Sequence, residues 1–167
     1  MKIKHNFFAI IPARKGSKGV FNKNMRVIGG KPLVQFTFDS AKNAKGIDTC
    51  ILSSDDDEII QLGIKKGIQV PFKRPSKLAQ DNSKTKDVIL HSLSWYKSKY
   101  DLIPDNIILL QPTSPFRTAK DIDMAISQFQ SSSKNTLVSV TIPAQHPGDC
   151  MVKNNDGKFS RLIIDDQ

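Results

Sequence analysis

Short runs made wholly of apolar residues recur along this chain, separated by longer stretches in which apolar residues return every three or four positions. Phe7 to Ile11 and Ile107 to Leu110 contain no polar residue. That suits strands covered on both faces, as in a parallel sheet, better than strands with one wet face. Thr49 to Ser53, Gln69 to Phe72 and Leu137 to Val140 read as further strands. Between them lie four helical patterns. The first starts with Pro32 at N1 and carries Leu33, Phe36, Ser40 and Ala44. The second takes Ser54 or Asp55 as its cap, with Asp56, Asp57 and Glu58 in its first turn and Ile60 and Ile64 facing inward. Lys65 and Lys66 in its last turn complement the dipole, and Gly67 stops it. The third has the apolar stripe Ile89, Leu93, Tyr96 and Tyr100. The fourth opens on a capping box, Thr118 with Asp121, continues through Ile122, Ile126 and Phe129, and exits at Ser131 to Ser133. Residues 150–162 form a hairpin around Asn155, Asp156 and Gly157. Alternating strands and helices imply βαβ units, hence a three-layer αβα domain on a mostly parallel (mixed) sheet, spanning residues 1–167.

In such a sheet ligands bind beyond the carboxyl ends of the strands. Loops 12–24 and 111–118 leave strand ends, and loop 73–84 can meet them. The first is also where the charge is. The chain of 167 residues has a net charge of +9, yet no Asp or Glu precedes Asp39, whereas Arg14, Lys15, Lys18, Lys23, Arg26 and Lys31 all do. In IPARKGSKGVFNKN, Gly16 and Gly19 let the backbone approach a ligand. Arg14 offers a bidentate guanidinium to phosphate oxygens and Lys23 a mobile point charge. The loop matches neither the Walker pattern nor G-x-G-x-x-G. A phosphate site and a plain basic loop are both compatible with spacing alone.

Composition narrows the class. No apolar run is long enough to span a bilayer, and the apolar start is broken by Pro12 and Arg14, so it reads as a strand and not a signal peptide. Two cysteines, Cys50 and Cys150, make no disulfide framework, which points to a reduced cytoplasmic chain. A basic nucleic-acid-binding module would account for the charge, but aromatic residues are only 7% and no nucleic-acid-binding signature is present.

Three segments together resemble the acylneuraminate cytidylyltransferases, the CMP-sialic acid synthetases. IPARKGSKGVFNKN is similar to that family's N-terminal signature, Arg74 to Ser83 (RPSKLAQDNS) to its R-P-x-x-L-A-x-D loop, and Leu109 to Thr118 (LLQPTSPFRT) to its L-L-Q-P-T-S-P-x-R-T. They occur in the family's order. The resemblance implies a Rossmann-like nucleotide-diphospho-sugar transferase fold and transfer of CMP from CTP to a nonulosonic acid, with release of pyrophosphate and Mg²⁺ as the cofactor. It implies that Arg14 and Lys23 hold the triphosphate and act in catalysis, with Ala13, Ser17 and Asn24 in the same loop. Arg74, Ser83 and Thr85 would lie on the nucleotide, and Gln111, Thr113 and Arg117 on the sugar. Arg117 equally suits a structural role, pairing with a loop carboxylate or carbonyl. His146-Pro147 resembles a family segment near the sugar, or is a surface histidine. Gly148 and Asp149 follow it where relatives carry a basic residue.

The family's chains continue past Gln167, with an acidic metal-ligand motif and an arm that completes a homodimer. The metal ligands are therefore not identified here, although Asp55 at a strand end is a substitute ligand or a helix cap. The expectation is a shortened chain, catalytic or reduced to nucleotide binding. Its partners are CTP and the sugar, with neither nucleic acid nor membrane. Legionaminic and pseudaminic acid cytidylyltransferases share these loops, so the sugar, destined for a lipopolysaccharide or capsule, is open among the three.

Overall fold

The opening apolar run is the middle strand of a parallel sheet. In a computed structural model of the chain, which describes residues 6–16, 19–140, 151–153 and 156–161, β1 (Phe7–Pro12) lies next to β4 (Thr49–Ser53) on one side and β5 (Asn106–Leu109) on the other. Both pairings are parallel, with Ile10 opposite Ile51 and Leu109. A short hairpin, β2 (Val27–Ile28) with β3 (Lys31–Pro32), precedes helix α1 (Leu33–Asn43). Helices α2 (Asp57–Lys65), α3 (Thr85–Tyr100) and α4 (Ala119–Gln130) complete the set, and β6 (Met151–Lys153) pairs antiparallel with β7 (Phe159–Arg161). The chain divides into two compact units, Met1–Ser133 and Lys134–Gln167.

Period-two geometry sends the side chains of β1 to opposite faces. Phe7, Ala9 and Ile11 join Val34, Phe38, Ile59, Ile122 and Ile126, so α1, α2 and α4 cover that face. Phe8 and Ile10 join Ile51 and Tyr96, so α3 covers the other. Phe8 is fully buried, and its ring centroid lies 4.8 Å from that of Tyr96. Burying a side chain of this size contributes about 1.5–3 kcal/mol, and the strand does so on both faces. This is the expected three-layer α/β arrangement. Among the described residues no helix is long and apolar enough to cross a membrane.

Caps and stops agree with local chemistry, while helix faces differ from expectation. Thr118 and Asp121 form the capping box of α4. Gly67, at φ 77°, ends α2 in a conformation that disfavours a side chain. The cap of α2, however, is Asp56, whose side chain accepts from the N–H groups of Glu58 and Ile59, and not Ser54 or Asp55. Its buried residues are Ile59 and Gly63, not Ile60 and Ile64, and Ile64 is 54% exposed. In α1 the buried set is Leu33, Val34, Thr37, Phe38, Ser40 and Ala41, with Phe36 only half-buried. Pro32 caps α1 rather than filling N1. Where apolar residues are adjacent, as at Leu33-Val34 or Ile59-Ile60, a periodic pattern fits two phases one residue apart. Packing against the sheet selects one.

Two strand expectations also change. Gln69 to Phe72 is reduced to single parallel bridges, Ile51 with Gln69 and Ser54 with Lys73. Leu137 to Val140 is not a strand; among the described residues no ladder partner satisfies it, and Val140 is 88% exposed. β5 lies at an edge of the three-stranded sheet, and Ile107 is 43% exposed although its run is wholly apolar. The hairpin near residue 156 forms as the Asn-Asp-Gly signal implies.

Candidate functional site

All three strands of the sheet deliver loops to the same end. A cleft of about 260 Å³ opens there, lined by Pro12, Arg14, Gly16, Lys23 and Asn24 from the first loop. The connection from α2 to α3 and the start of α3 contribute Arg74, Leu78, Gln80, Asp81, Ser83, Thr85 and Val88. The loop after β5 contributes Gln111, Pro112 and Thr113. The three loops singled out in the sequence thus meet where a parallel sheet binds its ligands.

The end of β4 ties these loops together. The carbonyl of Ser53 accepts the N–H of Ala13 at 3.0 Å and also a bond from Nη2 of Arg74. The Ser53 hydroxyl accepts from Arg74 Nε at 3.0 Å, and the Ser54 carbonyl takes the Arg74 N–H at 2.7 Å. Two residues on, the Asp55 carboxylate accepts the N–H of Lys15 at 2.8 Å. Asp55 thus anchors the basic loop and does not cap a helix. Ser53 and Asp55 hold the site's backbone, and neither carries a motif that would single out that role.

Arg14 leaves this anchor and reaches across the cleft. Its Nη2 lies 2.7 Å from Oδ1 of Asp81, and its Nη1 donates to the Ala79 carbonyl at 3.4 Å. Asn24 donates to the Arg14 carbonyl at 3.1 Å, which fixes the loop's return. Gly16 has φ 68°, a left-handed turn where a side chain would be strained. Lys23 begins a 3₁₀ turn, Lys23–Met25, entered through Asn22 at φ 54°; asparagine tolerates that conformation. Lys23 makes no salt bridge among the described residues and faces the cleft.

Arg74 is held differently. It is 5% exposed, and burial lowers its pKa to about 10, with Asp55 opposing that shift and the nearby Arg14 adding to it. It retains its charge at neutral pH. Arg14, Lys23 and Arg74 therefore face one carboxylate, Asp81, among the described residues lining the cleft. Such an excess of donors and positive charge in a recess suits a polyanion.

The remaining predicted residues divide. Ser83 and Thr85 line the cleft, but the Ser83 hydroxyl donates to the Lys77 carbonyl at 3.1 Å. Gln111 and Thr113 also line it and are exposed. Ala13 is fully buried, with its N–H engaged by Ser53. Arg117 is not in the cleft wall. Its Nη2 donates to the Gln111 carbonyl at 2.5 Å, and its buried Nη1 has no hydrogen-bond partner among the described residues. Burial lowers its pKa. Its bond to that carbonyl braces the loop that bears Gln111. Ser17 and His146-Pro147 lie outside the described residues. Asp81 has no role in the sequence reading, although it closes the R-P-x-x-L-A-x-D motif; its signal is that it is the one acid in an otherwise basic and polar loop.

Comparison with known proteins agrees with this geometry. A model of the family described as Cytidylyltransferase matches residues 8–156. The CMP-N,N'-diacetyllegionaminic acid synthase of Legionella pneumophila is 33% identical over 151 residues, covering 90% of this chain and 64% of that protein. The N-acylneuraminate cytidylyltransferase of Escherichia coli O18:K1:H7 is 34% identical over 140 residues, covering 83% of this chain and 32% of that protein. The chain thus spans under two thirds of the length of either relative. A CMP:2-keto-3-deoxy-manno-octonic acid synthetase solved with CTP superposes with a TM-score of 0.61 at 22% identity, over 75% of this chain and 47% of that one, which shows the shared fold. With three motifs converging on one cationic cleft and a family match across nearly its whole length, this chain belongs to the cytidylyltransferase family.

Proposed function

We propose that this chain is the nucleotide-binding part of an enzyme that transfers CMP from CTP to a sialic-acid-type nonulosonic acid, an N-acylneuraminate, and releases pyrophosphate. The observation that carries the reading is the convergence of Arg14, Lys23 and Arg74 on one cleft at the carboxyl ends of the strands. The anomeric hydroxyl of the sugar attacks the α-phosphorus of CTP in line. A new P–O bond forms as that hydroxyl loses its proton. The bond to the β-phosphate oxygen breaks, and pyrophosphate leaves with the electron pair. Arg14 and Lys23 neutralise the charge that gathers on the leaving group, which is where catalysis gains most in such a transfer. Arg74, locked onto Ser53, holds a fixed positive charge beside them. Gln111 and Thr113, also lining the cleft, face the sugar.

Mg²⁺ is the cofactor we assign. It binds through one or two carboxylates and substrate phosphates rather than a protein cage, which fits a cleft whose lining carboxylate among the described residues is Asp81. Bound there, it would screen phosphate charge. A second copy of the chain as partner would cover Phe21 and Val27, 77% and 68% exposed beside the basic loop. Free Cys50 suits a reducing cytoplasm, where CTP is made.

A legionaminic acid is the second reading of the sugar, favoured by the Legionella relative's printed activity. Calorimetry with CTP and UTP tests the nucleotide. CTP should bind at least roughly tenfold more tightly, since an unpaired polar group at the base costs more than about 1.4 kcal/mol. Arg14→Ala and Lys23→Ala should each remove most of that affinity without lowering the melting temperature. Unchanged CTP affinity in both variants would sink the proposal. Pyrophosphate release with each of the three sugars, from this chain and from one extended to the relatives' length, identifies the acceptor.

A further inference from the structure

The same guanidinium that a phosphate would need already holds a carboxylate. Asp81 Oδ1 lies 2.7 Å from Arg14 Nη2, and the adjacent Nη1 reaches the Ala79 carbonyl at 3.4 Å. Both bonds draw Arg14 toward residues 79–81, which close the motif after Arg74. Carboxylate and phosphate oxygens compete for the same paired N–H groups of a guanidinium. The pair is not sealed in: the Arg14 side chain is 33% exposed and that of Asp81 43%. Water reaches it, and such pairs exchange partners readily. With Arg74 and Lys23 on the same cleft, an arriving polyanion meets an attractive field broken at one point by Asp81.

We propose that Asp81 is an internal stand-in for phosphate at Arg14. It holds the guanidinium in the cleft while no anion is bound, yields it to a polyphosphate, and takes it back as pyrophosphate leaves. No covalent bond changes. Asp81 is a positioning residue that acts through Arg14, and it sets how long an anion stays. The inference rests on the reading of the cleft as a triphosphate site.

The probe is inorganic pyrophosphate, titrated by calorimetry into the wild-type chain, Asp81→Asn and Asp81→Glu at low and high salt. Removing the competitor should tighten pyrophosphate binding by Asp81→Asn roughly 1.5- to fivefold at low salt, the range expected for one partly exposed charge pair. That gain should shrink severalfold near 1 M salt, where the screening length falls to about 3 Å. Asp81→Glu should bind as wild type does. Wild-type binding with an Asn variant no tighter overturns this inference alone, as does a gain that ignores salt. No pyrophosphate binding by the wild type overturns the cleft reading and this inference with it. If Asp81→Asn melts early, Asp81→Ser makes the same comparison. Early melting of both shows a structural carboxylate and overturns the stand-in role.

Discussion

Replacing Arg74 by Met separates architecture from ligand binding. The substitution keeps much of the aliphatic stem and deletes two charged hydrogen bonds to Ser53, one from Nε at 3.0 Å to the hydroxyl and one from Nη2 to the carbonyl. Hydrogen bonds from a charged donor contribute about 1.5–3 kcal/mol each, so the gross loss is roughly 3–6 kcal/mol. Against this stands the cost of burying the cation, which lowers its pKa to about 10 and amounts to on the order of 3 kcal/mol. The net loss is about 0–3 kcal/mol, centred near 1.5, and for a chain of this length that central value lowers Tm by roughly 3–6 °C. The effect should spread beyond that residue, because Ser53 also receives the Ala13 N–H that starts the phosphate loop. Thermal unfolding followed by circular dichroism, with and without CTP, is the assay. Both Tm and CTP affinity should fall. An unchanged Tm with lost CTP binding would refute the claim that Arg74 works by tying its loop to β4, leaving it a nucleotide ligand only.

Two further outcomes follow from packing and charge. Gly63→Ala removes a helix-weakening glycine, worth about 1 kcal/mol, but its new Cβ would sit 2.7 Å from Cδ2 of the fully buried Leu52. Overpacking of that kind costs about 1–3 kcal/mol, so the melt should show a net loss; a higher Tm would mean that Leu52 yields freely. His91 packs edge-on to Phe72 at 4.4 Å, and its pKa is held below the ordinary value, first by burial and then by the cations Arg74 and Lys77. The unfolded chain therefore takes up this proton first. The stability of neutral His91 is complete above about pH 6.5 and is lost as pH falls through the lower folded value. His91→Phe should flatten the decline in Tm between about pH 7 and 5, and an identical decline in both proteins would remove His91 as its source.

The motif loops were legible because their chemistry is local. An acid-free stretch with glycines at 16 and 19 marks a basic loop as a candidate site before any fold is known, and residues of that loop line the cleft. The positions of Ser83, Thr85, Gln111 and Thr113 on that cleft were equally readable from the motifs. Ala13 was not: its sequence neighbours sit on the ligand side, but its N–H and methyl are spent inside the fold. Arg117 was half readable: spacing allows a ligand or a brace, and its bond to the Gln111 carbonyl is visible only in the fold.

The strands β1, β4 and β5, the Thr118–Asp121 cap, the Gly67 stop and the hairpin of β6 and β7 were set by residues within a few positions of one another, so the chain alone fixes them. What the sequence left open depends on partners far along it. Arg14 meets Ala79 across 65 positions, Lys15 meets Asp55 across 40, and Arg74 meets Ser53 across 21. The inward faces of α1 and α2 and the Asp81 contact were decided only when the sheet brought those segments within reach. Hydrogen bonds and packing act over a few ångströms of space, and separation along the chain does not measure that distance.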